Sequence, residues 1–225
     1  MNLEPMSRDR AASKLRILML ATDAHGGFGG ISQYNRDVIE ALSRNDRIAS
    51  VTVVPRVVHD RDFALPDRVS YDLGGTVGLG AYLRRAASYV IGGGRFDLVY
   101  CAHVNLAPLA RAIATARRVP MVLAIYGIEA WQPPARRAAR WACGAADLVV
   151  SISRITLDRF LAWSRPAPRF HAILPNAIHT DGYAAGARNP ELERRLGVQN
   201  RKVVLTFGRM SADERYKGFD EVLAV

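Results

Sequence analysis

A chain of 225 residues with 49% hydrophobic and 23% charged residues can bury a sizeable core and is composed like an ordered globular protein. Its 31 basic against 21 acidic residues give a formal charge of +10, which favours anionic partners such as nucleic acid, anionic lipid headgroups or phosphorylated small molecules. No long basic run with interleaved aromatics occurs, which speaks against a dedicated nucleic-acid site.

From the amino end, residues 1–14 are polar and charged and are expected to form a loose tail. Leu15–Ala21 is apolar throughout and of strand length; Thr22 and Asp23 break it, so it is too short to span a bilayer. Residues 31–43 then carry apolar side chains at helical spacing, at Ile31, Tyr34, Val38, Ile39 and Leu42. Residues 51–54 read as a second strand, 69–73 as a weaker one, and 77–91 as a Gly-flanked helix. Strand, helix and strand follow at 97–101, 106–116 and 121–126. The same alternation continues with a helix at 133–143, a strand at 148–152 and a helix at 155–163. Strands that are apolar on both faces, separated by helices, define an α/β architecture with a doubly wound parallel sheet.

After Trp163 the texture changes. A short strand at 172–174 leads into Pro175 and Asn176, and residues 182–200 read as a linker holding a short charged helix, 190–196. Residues 203–207 read as a buried parallel strand that opens a second domain over 201–225, with a helix starting near Lys217. No later strands flank that strand within the chain, so the sequence is expected to be a fragment of a longer protein.

Cys101 and Cys143 lie in apolar surroundings without metal-like spacing, which predicts buried free thiols in a reducing compartment. Arg136, Arg137 and Arg140 stand beside Trp131 and Trp141, and this segment is the best candidate for touching an anionic bilayer.

The chemistry-bearing segments follow strands. After the first strand, Gly26, Gly27, Gly29 and Gly30 directly precede a helix. Glycines there let the backbone approach a ligand closely, with free amides and the helix dipole turned toward it, so phosphate is the natural guest. The third glycine of a dinucleotide fingerprint is replaced by Ser32, and Val54, Pro55 and Arg56 stand where its acid would be, which disfavours NAD or FAD. His103 follows the strand 97–101, at the sheet edge where ligands bind. Tyr126 and Glu129 follow another strand and can hydrogen-bond a polyhydroxylated ligand. Arg209 and Lys217 follow the last apolar strand, and a bidentate cation with a point-charge lysine suits a diphosphate.

The segment from Gly29 to Tyr34, the run Pro175-Asn176-Ala177-Ile178, and Gly208-Arg209 followed by Tyr216-Lys217-Gly218 resemble glycosyltransferase family 4. The resemblance implies the GT-B fold, two Rossmann-like domains facing across a cleft, with 15–181 as the acceptor-side domain and 201–225 as the start of a truncated donor-binding domain. It implies a retaining transfer of a sugar from a nucleoside-diphosphate donor to an acceptor hydroxyl, in cell-surface polysaccharide or glycolipid synthesis. Gly26, Gly27, Gly29, Gly30, Arg209 and Lys217 would then face the donor phosphates, and Asn176 would lie at the interdomain crossover. Many members carry histidine where this chain has Tyr126, and often Asp where it has His179.

His103, Tyr126 and Glu129 are the candidate catalytic or acceptor-contacting residues. No cofactor or metal is expected, the nucleotide-sugar being a substrate. The expected acceptor is a sugar, polysaccharide or lipid-linked species, with an anionic membrane surface as a further candidate partner and no nucleic acid. The expected location is cytoplasmic, on the inner membrane face if membrane-bound. A reading from another class is a non-catalytic half that binds an acceptor or a partner chain.

Overall fold

The computed structural model describes residues 13–178, 180, 183–208 and 218–224. The chain divides into two compact units between Ile178 and His179. The first unit holds seven strands, β1 (Leu15–Ala21), β2 (Ile48–Pro55), β3 (Val69–Tyr71), β4 (Leu98–Cys101), β5 (Met121–Ile125), β6 (Leu148–Ser151) and β7 (Phe170–Ile173). Its helices are α1 (Gly30–Arg44), α2 (Leu79–Ile91), α3 (Ala107–Arg117), α4 (Ile128–Trp131), α5 (Arg137–Gly144) and α6 (Arg154–Trp163). The strands form one parallel sheet in the order β3-β2-β1-β4-β5-β6-β7. The order reverses between β1 and β4, and a crevice opens there at the carboxyl ends of the strands.

Strand alternation sorts the core into two layers. Leu18, Leu20, Val54, Val99, Cys101, Leu123 and Ile125 face α2, α3, α5 and α6, which supply Tyr82, Ala86, Ile113, Ala114, Cys143, Leu157 and Phe160. Met19, Ala21, Val53, Tyr100, Ala102 and Ala124 face α1 through Tyr34 and Ile39. The continuous apolar runs are therefore strands covered on both faces, as the sequence predicts. At the amino edge, Arg16 donates from its backbone N–H and from Nε and Nη2 to Asp97, at 2.9–3.0 Å. The Asp97 carboxyl is held below the ordinary range by those bonds.

Local signals set the boundaries. Pro133 and Pro134 hold their predecessors extended, so the helix expected over 133–143 begins at Arg137. Ser153 caps α6, its Oγ accepting the Thr156 N–H at 3.2 Å. Ser153→Ala is expected to cost about 1 kcal/mol of stability, read as a lower denaturation midpoint at unchanged slope. Cys101 and Cys143 are buried free thiols; burial pushes the Cys143 thiol up to about 12. No helix among the described residues is long and apolar enough to cross a membrane.

The second unit contains α7 (Pro190–Leu196), capped by Asn189, and α8 (Phe219–Leu223). The strand expected over 203–207 does not form. Those residues have no strand partner among the described residues, and Val204 and Phe207 are 86% and 96% exposed. An apolar run becomes a strand only by pairing and burial, and among the described residues it has neither.

Candidate functional site

The carboxyl edge of the sheet gathers the loop 22–29, the start of α1, Arg56, His103 and the β5–α4 turn. The loop is held from two sides. Behind it, the crossing after β2 runs alongside: Arg56 N–H donates to Ala21 O, Val57 N–H to Thr22 O, and His59 and Asp60 N–H both to Gly26 O. Gly26 has φ +73°, and a Cβ there would meet Asp60 O at 2.0 Å, so only glycine fits. From below, α1 grips the loop. Asn35 Nδ2 donates to Asp23 O at 2.9 Å, and Arg36 Nη1 donates to Ala24 O and Gly27 O at 2.9 and 3.0 Å.

The front of the loop is open. Gly29 takes φ +96° as the N-cap of α1, no side chain caps the helix, and its first turn carries no acid. A Cβ on Gly29 or Gly30 would meet no atom within 4 Å. Among the described residues, nothing covers the positive end of this 15-residue helix, a ready anion site. Of the four sequence-predicted glycines, Gly26 and Gly27 shape the loop while Gly29 and Gly30 face outward.

The other candidates divide. Tyr126 is buried; its hydroxyl donates to Asn35 Oδ1 at 2.7 Å and its ring packs edge-on to Tyr34. Burial pushes its phenol well above the ordinary value. Expected among the catalytic residues, it ties the end of β5 to α1 through this bond, which satisfies its buried hydroxyl. Glu129 Oε1 accepts the N–H groups of Tyr126 and Gly127 at 2.6 and 3.0 Å. That carboxylate therefore closes the β5–α4 turn through one oxygen.

His103 begins the short turn before α3, its Nδ1 accepting the Asn105 N–H at 3.1 Å. A ring nitrogen that accepts carries no proton, so the neutral ring bears its hydrogen on Nε2 and presents a donor. Burial lowers the His103 pKa, opposed by the charges of Glu129 and Asp23 and aided by Arg56. His25, beside Tyr71 Oη at 2.8 Å, is likewise lowered, first by burial and then by Arg36.

The sign follows. Above the ordinary histidine value of 6.5 both states are neutral. As pH falls below it, the unfolded chain takes up protons that the folded chain resists, so stability is lost on acidification through that window. Melting temperature is expected to fall between about pH 7 and about pH 5. His103→Asn, whose amide oxygen can still accept the Asn105 N–H, should lessen the fall.

Asn176 lies in the exposed stretch without regular structure after β7. Arg209, Lys217 and His179 lie outside the described residues. Sequence reasoning missed Asn35 and Arg36. Their signal was the presence of polar residues, Ser32, Asn35 and Ser43, among the buried positions of α1. It also passed over the trait that separates the two tryptophans: Trp131 Nε1 donates to Thr156 Oγ1 beneath the Arg159 guanidinium, whereas Trp141 is 53% exposed.

A family described as glycosyl transferase 4-like domain matches residues 29–177. The chain belongs to that family, and its seven-stranded sheet is the Rossmann-like unit of a GT-B fold. Crystal structures of Anabaena Alr3699/HepE are similar. The complex with UDP and glucose superposes with a TM-score of 0.64 at 20% identity, over 93% of this chain and 57% of that one. The complex with UDP-glucose gives 0.61 at 19% identity over the same shares. The chain therefore spans somewhat more than half the length of these structural relatives. No curated protein sequence matches it.

Proposed function

We propose that the protein to which this chain belongs is a retaining glycosyltransferase that moves a sugar from a nucleoside-diphosphate donor to an acceptor hydroxyl. The observation that carries this reading is the open amino end of α1 behind Gly29 and Gly30, free of caps and acids, at the switch point of a parallel sheet. In the reaction the bond from the anomeric carbon to the diphosphate oxygen breaks and a bond to the acceptor oxygen forms on the same face. The acceptor proton leaves with the diphosphate. Most of the barrier lies in charge building on that leaving group, so oriented amides and cations are the residues that matter. Gly29, Gly30 and the first turn of α1 supply the amides. Arg209 and Lys217 are assigned the cationic part on sequence grounds.

In this reading residues 15–181 are the acceptor-side domain and 201–225 the start of the donor-binding one, with Asn176 near the crossover. His103 Nε2–H donates to the acceptor. Its Nδ1 is occupied and its ring neutral, so it positions the acceptor and is not the base. Tyr126 and Glu129 hold the edge in shape. The biological setting assigned is polysaccharide or glycolipid synthesis on the inner membrane face. The basic helix α5, with Arg137, Arg140 and the exposed Trp141, is the surface assigned to the bilayer. HepE is crystallised with UDP and with UDP-glucose, which makes a uridine nucleotide the first donor to try.

The test is a thermal-shift screen of UDP-, GDP- and ADP-sugars on this chain. Stabilisation by one nucleotide class supports donor binding and names the base. Indifference to all three, in a folded sample, would count against a donor site on this half.

A further inference from the structure

The carboxyl edge has two sides, and the donor reading uses only one. Leu20 pairs in register with Val54 on β2 and with Cys101 on β4, and all three side chains enter the layer facing α2 and α3. Two residues further on, alternation puts Arg56 and His103 on that same side, away from α1. One strand lies between them, so their backbones stand about 10 Å apart. That spacing is one a guanidinium and an imidazole can both bridge to a single small anion.

Three observations make this pair more than a coincidence of register. Arg56 is exposed, and among the described residues no hydrogen bond or ion pair holds its guanidinium. His103 has its Nδ1 occupied and offers only an N–H. The 13-residue helix α2 begins at this edge with Gly78 as its N-cap, without a capping side chain or an acid in its first turn. One turn into it, the Tyr82 hydroxyl is buried without a hydrogen-bond partner among the described residues, within electrostatic reach of Arg56 and Cys101. The carboxylates that act on His103 are Glu129, whose Oε1 is taken by two amides, and Asp23, whose Oδ1 accepts the Thr22 Oγ1–H. Val77 and Leu79 stand exposed beside the α2 start, at 83% and 61%.

We infer that Arg56, the Nε2–H of His103 and the first turn of α2 form a second anion subsite that binds a phosphate carried by the acceptor. This rests on the glycosyltransferase reading for the word acceptor, but the anion subsite itself stands on the residues named. Donor and acceptor phosphates would then sit on opposite sides of the β1 end, one toward α1 and one toward α2. Their mutual repulsion is reduced by that separation, and the transfer point falls between them. The exposed Val77 and Leu79 would accept an aliphatic portion of the same molecule.

The chain has 5 histidines, so imidazole NMR signals can be followed individually. Inorganic phosphate and hexyl phosphate should each shift the His103 signal saturably, while hexyl glucoside should not. Hexyl phosphate binding more tightly than inorganic phosphate identifies a lipid phosphate as the source; equal affinities identify a phosphate on a soluble acceptor. Arg56→Gln, a surface change that removes no internal bond, should weaken phosphate binding by about tenfold or more. A His103 signal indifferent to phosphate, or an Arg56→Gln variant that binds as well as the parent, overturns the subsite. UDP titrated in parallel reports on the glycine loop through His25. Failure of that response with the phosphate response intact would sink the donor reading and leave the subsite standing.

Discussion

Gly26→Ala is expected to lower stability by about 2–4 kcal/mol, and Gly30→Ala is expected to leave it unchanged or slightly raised. At Gly26 two costs add. The backbone sits at φ +73°, where a Cβ is strained, and that Cβ would lie 2.0 Å from the backbone oxygen of Asp60. Relief requires moving the crossing after β2, which also carries the bonds from His59 and Asp60 to the loop. At Gly30 the backbone is helical and a methyl group meets nothing. Its effect is on function: the methyl occupies the mouth through which a phosphate would reach the α1 amides. Donor affinity should fall about tenfold in Gly30→Ala at full stability. Urea denaturation and nucleotide titration of the two variants separate the shape of the loop from its use. A Gly26→Ala protein as stable as the parent would contradict the packing described.

Asn35→Ala should cost about 2–4 kcal/mol, and Tyr126→Phe about half of that. Asn35 is fully buried and serves two partners, accepting from the Tyr126 hydroxyl and donating to Asp23 O. Truncation leaves a buried phenol and a buried carbonyl unpaired and opens a void beneath the loop. Tyr126→Phe leaves only the Asn35 oxygen without its donor. Because the two residues share one bond, the double variant should lose less than the sum of the single losses. Additive losses, measured as differences in unfolding free energy, would mean that the hydroxyl and the amide act separately. If Tyr126 were instead a catalytic group, Tyr126→Phe would abolish transfer while leaving stability untouched.

Most of the sheet was legible because β1, β4, β5 and β6 are near-continuous apolar runs and each is followed by a helix. Val99, Met121 and Val149 announce their strands without help from tertiary context. The start of β2 at Ile48 was not legible, since Ala49 and Ser50 carry no strand signal; pairing with β1 recruits them. The apolar run 203–207 failed for the opposite reason. Its composition promises burial, but a strand needs paired neighbours, and among the described residues it has none. At the site, glycine spacing pointed to a tight loop before α1 because backbone freedom is written in residue type. The roles of Tyr126 and Glu129 were not, because a polar residue at a strand end reads the same whether it faces a ligand or a backbone amide. Only the partners, Asn35 Oδ1 for one and the 126–127 amides for the other, decide between those uses. The tautomer of His103 likewise depends on the Asn105 amide, two residues on in sequence but fixed only by the turn.

The most direct measurement is the backbone amide spectrum of this chain titrated with UDP. If the open end of α1 holds the donor diphosphate, the amides of Gly29, Gly30 and Ile31 move together and saturate, and Gly30→Ala weakens the response. If those amides stay still while others respond, or if none responds in a folded sample, the diphosphate does not bind at the α1 end and the functional reading built on it is wrong.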